Sequence, residues 1–255
     1  KDGEVIGSEK VMPKGGIIYR HDVTTRTANP NGENKVIMDG VQAEMNPVSA
    51  TCREALAYNI GRCFIQLKER LDEVKGVKAD FSQLIEVSEK EFASLSGQCK
   101  VFGCMPSFNV YEESKIGVDP AIYRKRSAGG HIHIGDCGST MIGNVLRDYE
   151  KLVPLLDIIV GNTCVLIDRD PGNVERRKVY GRAGEYRKPS YGIEYRTLSN
   201  FWLRSYPMMS MVFGLARFAV NILVNGEEFY KPIMKAVKMD DIRKAINEND
   251  FELAY

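Results

Sequence analysis

Two of the three histidines in the chain stand two residues apart, in Gly129-Gly130-His131-Ile132-His133-Ile134-Gly135. On a strand, side chains at i and i+2 point to one face. Both imidazoles would then face one way while Ile132 and Ile134 pack on the other. The glycines allow close approach of backbone or ligand. A His-x-His pair is a common metal-ligand arrangement; it is equally a pair of hydrogen-bonded histidines on a half-buried strand. Gly192-Ile193-Glu194-Tyr195-Arg196-Thr197-Leu198 repeats the logic, with Glu194 and Arg196 sharing a face. On its own this pair also reads as an ion pair, worth little if exposed. Glu44, a carboxylate among apolar residues in Val41-Gln42-Ala43-Glu44-Met45-Asn46-Pro47, is either an edge-strand glutamate or a metal ligand at the rim of a sheet.

Between the two motifs lies a basic cluster: Arg176, Arg177, Lys178, Arg182, Arg187 and Lys188, interleaved with Tyr180, Gly181 and Gly184. Such runs are often solvated loops. Arginine outnumbers lysine here four to two, and its planar fork suits bidentate phosphate contacts. Interleaved aromatics could stack on single-stranded nucleic acid, and the same residues would serve a triphosphate.

The elements that must hold these residues can be read from pattern. Gly16–His21 is an expected strand, followed by a loop at Ala28–Gly32. Lys35–Met38 and Val41–Met45 flank Asp39-Gly40, a hairpin signal. Thr51 and Glu54 form a Thr-x-x-Glu capping box. Leu56, Ile60, Phe64, Leu67, Leu71 and Val74 then recur at spacings of three and four, which predicts a helix stopping near Gly76. Further expected elements are a strand over 79–89, a short helix or turn over 90–96 and strand character over 107–111. A strand is expected over 128–135, a helix over 139–164 broken at Pro154, a strand over 192–198, a helix over 206–224 and one or two helices over 227–248. The order lacks regular βαβ alternation, and no Gly-rich phosphate loop follows a strand. Both features argue for an α+β fold with a mostly antiparallel sheet flanked by helices.

The 255 residues suffice for a substantial core, and neither repeat nor linker divides them, so one domain over 1–255 is expected. A net charge of +1 gives no whole-chain attraction to nucleic acid or an anionic membrane, so anion recognition must be local. The six cysteines form no CxxC pair and read as reduced, mostly small core residues of a cytoplasmic protein. No stretch reads as the ~20 apolar residues that span a bilayer, and the polar start shows no signal peptide. Asp2-Gly3 followed by Val5-Ile6 reads as a hairpin turn whose first strand would lie upstream of Lys1.

Gly129–Gly135, Tyr180–Arg187 and Tyr191–Trp202, in this order, resemble the phage-type amidoligases, type 2, of the COOH–NH2 ligase family. Asp39–Pro47 and Phe102–Asn109 look like further segments of that family, and the resemblance covers roughly residues 5–205. It implies a glutamine synthetase-like catalytic domain with a curved sheet, ATP-dependent amide-bond formation through an acyl phosphate, and Mg²⁺ or Mn²⁺. It implies Glu44, His131 and Glu194 as metal ligands, and Glu194, Arg187 and Arg196 as catalytic residues. Arg177, Arg182, Arg187, Arg196 and His133 would hold the nucleotide. The partners implied are carboxylate and amine substrates, small molecules or peptides, with neither membrane nor nucleic acid as the main partner. Localisation would be cytoplasmic, in the host if phage-encoded, and some relatives of the fold place active sites between subunits. An Asp-Pro-Glu-like strand with which family members usually begin is not in this chain. Two readings stand beside this one: an inactive, non-enzymatic protein binding nucleotide or nucleic acid, and a metal hydrolase using the His-x-His pair.

Overall fold

The computed structural model describes residues 17–19, 34–39, 41–74, 76–100, 107–112 and 122–255. The expected turn at Asp2-Gly3, His21, the loop Ala28–Gly32 and the segment Phe102–Pro106 lie outside the described residues. Two compact units divide the chain. The first comprises Lys1–Phe81, Ile85–Met105 and Val118–Arg126; the second comprises Ser82–Leu84, Pro106–Gly117 and Ser127–Tyr255.

In the first unit β1 (Ile17–Tyr19), β2 (Asn34–Asp39) and β3 (Gln42–Asn46) form an antiparallel sheet in sequence order. Asp39 faces Gln42 across the ladder, as the hairpin signal predicts. Helix α1 (Arg53–Glu73) lays Cys63 and Leu67 on Val36 of β2. Its N-cap is Cys52, one residue beyond the expected Thr51, with Sγ accepting the Ala55 N–H at 3.4 Å. Strand β4 (Leu84–Glu86) is shorter than the expected 79–89 and pairs with β6 (Lys125–Ser127). Helix α2 (Glu89–Ser94) is capped by Ser88 and packs Phe92 against Val41, Val87 and Leu95; the short α3 (Gly97–Lys100) follows.

The second unit carries a four-stranded antiparallel sheet of β5 (Phe108–Asn109), β7 (Ile132–Gly135), β8 (Glu185–Arg187) and β9 (Gly192–Tyr195), ordered β5-β8-β9-β7. Its alternation is clean. Ile132 lies opposite Tyr195, and Tyr195 opposite Tyr186, on one face; His133 lies opposite Glu194, and Glu194 opposite Arg187, on the other. The first face is covered by helices. Here α4 (Thr140–Arg147) ends at Asp148, and α5 (Tyr149–Leu156) runs on through a π-helical stretch, Asp157–Asn162, into α6 (Thr163–Val165). The break expected at Pro154 therefore falls six residues earlier, at Asp148. Pro154, which removes one backbone donor from the ladder, sits within α5 just ahead of the π-turn.

Helix α7 (Gly172–Arg177) opens the basic stretch. A 3₁₀ turn (Asn200–Arg204) leads into α8 (Tyr206–Asn225), then α9 (Glu227–Ala236), α10 (Met239–Glu248) and α11 (Phe251–Ala254). By length and composition alone α8 could cross a membrane, a correction to the reading that no stretch approaches that length; its contacts here are with α4, α5, α9 and the π-turn. Among the described cysteines, Cys63 and Cys164 are buried and Cys52 and Cys137 exposed, all as free thiols.

Candidate metal and phosphate site

The polar face of the second sheet gathers five of the sequence-predicted residues: His131, His133, Arg187, Glu194 and Arg196. His131, His133 and Glu194 each offer a ligand atom, and these atoms lie within 4.8 Å of one another. Glu194 is 5% exposed. Its Oε1 faces His131 Nδ1 at 3.1 Å and accepts from Arg196 Nη1 at 2.5 Å. Arg187 Nη1 donates to Oε2 at 3.4 Å. Two arginines thus fix the carboxylate from β8 and from the end of β9.

Backbone chemistry makes this packing feasible. The Gly130 N–H donates to Leu198 O at 3.0 Å, and the Gly130 carbonyl accepts from Trp202 Nε1 at 3.2 Å. A Cβ at Gly130 would run into the Ser199 carbonyl and the indole. Gly192 has φ +151°, and a Cβ there would collide with the Ile134 carbonyl. The buried Arg176 donates to the carbonyls of Ala128 (3.1 Å), Thr197 (3.2 Å) and Leu198 (2.7 Å). It has no carboxylate in these contacts; it ties the lead into β7 to the lead out of β9. On the covered face, Tyr195 and Tyr111 donate to the two oxygens of Asp157 at 2.7 and 2.9 Å.

The charge states suit a cation. Burial, with the Arg196 charge adding to it, lowers His131 to about 4, even though its contact with Glu194 works the other way. His133, open at its rim, is also lowered by desolvation of its inner side and by Arg196 and Arg187. Burial alone would raise Glu194, but hydrogen bonding to His131 and the surrounding positive charge bring it down to about 2. Near neutral pH the set is two neutral imidazoles and an ionised carboxylate, the form in which these groups bind metal. Two nitrogens and one oxygen accommodate Mn²⁺ more readily than Mg²⁺, which prefers oxygen throughout.

Arg187 has donors to spare. Its Nε and Nη2 are shut off from solvent and lack a hydrogen-bond partner, an arrangement that costs free energy unless an acceptor arrives. The other predicted arginines have partners of their own. Arg182 is paired with Glu112 at 2.8 Å, while the buried Arg177 donates to the Ile246 carbonyl and, at 2.8 Å, to Asn249 Oδ1 at the end of α10. Glu44 is an exposed residue of β3, in the first unit, and is not among the residues that the second unit brings together.

Two tyrosines were absent from the expected site. Tyr180 OH meets His131 Nε2, and Tyr191 OH meets His133 Nδ1 at 2.5 Å. Their signal in the sequence is a repeated Tyr-Gly pair, 180–181 and 191–192, ahead of β8 and β9. Both glycines have positive φ, +75° and +151°. The turn that each glycine permits delivers the preceding phenol to a histidine.

An antiparallel sheet with a helix-covered face and a two-histidine, one-carboxylate, arginine-rimmed face defines an α+β protein with a candidate metal and anion site. Residues 116–237 match the family model described as phage phiEco32-like COOH.NH2 ligase-type 2. The matched segment holds the whole site, and the family is the one that the motifs of this chain resemble. Similarity also extends to two Arabidopsis thaliana proteins. Vacuolar protein sorting-associated protein 32 homolog 2 is 30% identical over 115 residues, 41% of this chain and 52% of that protein; homolog 1 is 29% identical, with 41% and 54% covered. The chain spans about half the length of these curated relatives, and neither name concerns a ligase. No solved structure matches the chain.

Proposed function

We propose that the chain is an ATP-dependent carboxylate–amine ligase whose metal-binding residues are His131, His133 and Glu194. The observation that carries this reading is the orphaned pair of donors on Arg187, beside the triad and on the sheet face shared with Arg196, within the segment that the ligase family model matches.

In this reading an oxygen of the substrate carboxylate attacks the γ-phosphorus of ATP. The bond to the β–γ bridging oxygen breaks, and ADP leaves. The amine nitrogen then attacks the acyl carbon, phosphate departs, and the nitrogen gives up a proton. Arg187 donates to the transferring phosphoryl group with the N–H groups that now lack acceptors, and Arg196 adds positive charge next to it. Glu194, held ionised by its hydrogen bond to His131 and by the positive charge around it, Arg196 included, keeps the guanidiniums of Arg187 and Arg196 oriented. A bound Mn²⁺ or Mg²⁺ would supply neutralisation of charge on the phosphate oxygens. Substrates are a carboxylate and an amine, carried on small molecules or peptides.

The test supplies the full chain with ATP, Mn²⁺ and a panel of carboxylates, using hydroxylamine as a general amine. The reading expects ADP and phosphate release together with a hydroxamate, all dependent on the carboxylate. Hydroxamate formation without ATP, or an absence of nucleotide binding, would contradict it. The two-histidine, one-carboxylate set also favours a second reading, a metal-dependent hydrolase, which predicts turnover without ATP and no amide product.

A further inference from the structure

We infer that Tyr180 is the positioning residue that sets which nitrogen of His131 faces the metal. The inference rests on the proposed metal role of the triad and adds a residue to it.

His131 has two ring nitrogens with different neighbours. Nδ1 lies 3.1 Å from Glu194 Oε1, on the side where the other ligand atoms gather. Nε2 is closed off by the Tyr180 hydroxyl. A metal shared with Glu194 is therefore met by Nδ1, and Nε2 must carry the ring proton. A neutral imidazole has one donor and one acceptor nitrogen, so the group facing Nε2 selects the tautomer. The phenol oxygen can accept the Nε2–H, the role that carboxylates and carbonyls commonly play behind metal-bound histidines.

The phenol is itself fixed. Two guanidiniums, those of Arg176 and Arg196, each lie 5.2 Å from its ring centroid. Arg196 Nη2 donates to its oxygen at 3.3 Å. That same arginine grips Glu194, so one guanidinium orients the carboxylate and the phenol together. Gly129 leaves the necessary room: a Cβ there would sit 2.6 Å from His131 Nε2 and 2.7 Å from Tyr180 OH. The first glycine of the Gly-Gly-His motif is accounted for by this contact.

The experiment titrates the metal-free full chain with Mn²⁺, reading free Mn²⁺ by electron paramagnetic resonance, for wild type, Tyr180→Phe and Gly129→Ala. Tyr180→Phe keeps the ring beside both arginines and removes only the oxygen. Gly129→Ala wedges the same contact from the other side and serves as the second probe should Tyr180→Phe fail to fold. Each variant is expected to raise the Mn²⁺ dissociation constant by about 10–100-fold, the range for loss of an outer-shell partner, with the circular dichroism spectrum unchanged. Wild-type affinity in a folded Tyr180→Phe protein would overturn the role of Tyr180 and leave the metal site standing. Failure of the wild type to bind Mn²⁺ would overturn the metal reading, and this inference with it.

Discussion

Glu194 sits where three partners converge: an imidazole nitrogen, a guanidinium from the residue just beyond its own strand and another from the neighbouring strand. Glu194→Gln removes the charge and retains the shape. Its Mn²⁺ affinity should fall by more than the roughly 10–100-fold typical of outer-shell partners, measured by calorimetric titration. Arg187 and Arg177 form an instructive contrast, because composition alone could not separate them. Both lie in one basic run and both suit phosphate. Each keeps a buried Nε with no hydrogen-bond partner, but Arg187 also leaves Nη2 unpartnered on the site face, whereas Arg177 has turned inward to the end of α10. Arg187→Met should weaken nucleotide binding and leave thermal stability nearly unchanged. Arg177→Met should do the reverse, destabilising the chain by roughly 2–3 kcal/mol through the carbonyl it abandons, as read by urea unfolding. A run of arginines announces that cations are needed; which of them serve the site depends on helix packing far along the chain.

The elements of the site were legible to different degrees. Period-two alternation in 129–135 and 192–198 identifies both site-bearing strands and the faces of their side chains, and the register bears this out by setting His133 opposite Glu194. What alternation could not supply was the pairing itself, which brings β7 and β9 together across about sixty residues of intervening chain. The π-turn after α5 was also hidden, because Pro154 marked a disturbance without giving its form. That turn carries Asp157, which burial raises to about 7 despite the hydrogen bonds from Tyr195, Tyr111 and Thr197 that favour its ionised form. Its ordinary value is 3.8. The native state thus binds the Asp157 proton more tightly than the unfolded chain does. The stability this contributes is fully present below about pH 4 and is lost as pH rises to about 7. His131, lowered from 6.5 to about 4, works in the opposite sense over an overlapping range, so the informative quantity is a difference. Asp157→Asn should abolish the loss of stability that Asp157 causes between pH 4 and 7, seen by comparing urea midpoints with the wild type across that range. Gly192→Ala, which forces a Cβ toward the Ile134 carbonyl at positive φ, should cost about 3 kcal/mol and is read by the same unfolding measurement.

At the scale of the whole molecule, the α+β class with antiparallel sheets follows from the order of patterns along the chain, and the resemblance to the ligase family from three motifs in sequence. The division into two compact units was not legible, because the exchanges between them, at residues 82–84, 106–117 and 127, fall within segments that show no change of composition. A net charge of +1 gives no whole-chain attraction to polyanions, so the proposed anion recognition rests on the arginines of the sheet face. The central claim is a metal held by two imidazoles and one carboxylate in the ligase segment. The most direct measurement is pulsed electron paramagnetic resonance of Mn²⁺ bound to the full chain, grown with ¹⁵N-labelled histidine, in the presence of a non-hydrolysable ATP analogue. The account predicts coupling to two histidine nitrogens, reduced to one in His131→Gln and in His133→Gln, together with phosphorus coupling from the nucleotide. Bound Mn²⁺ with no histidine coupling, or nitrogen coupling that survives both substitutions, would contradict it.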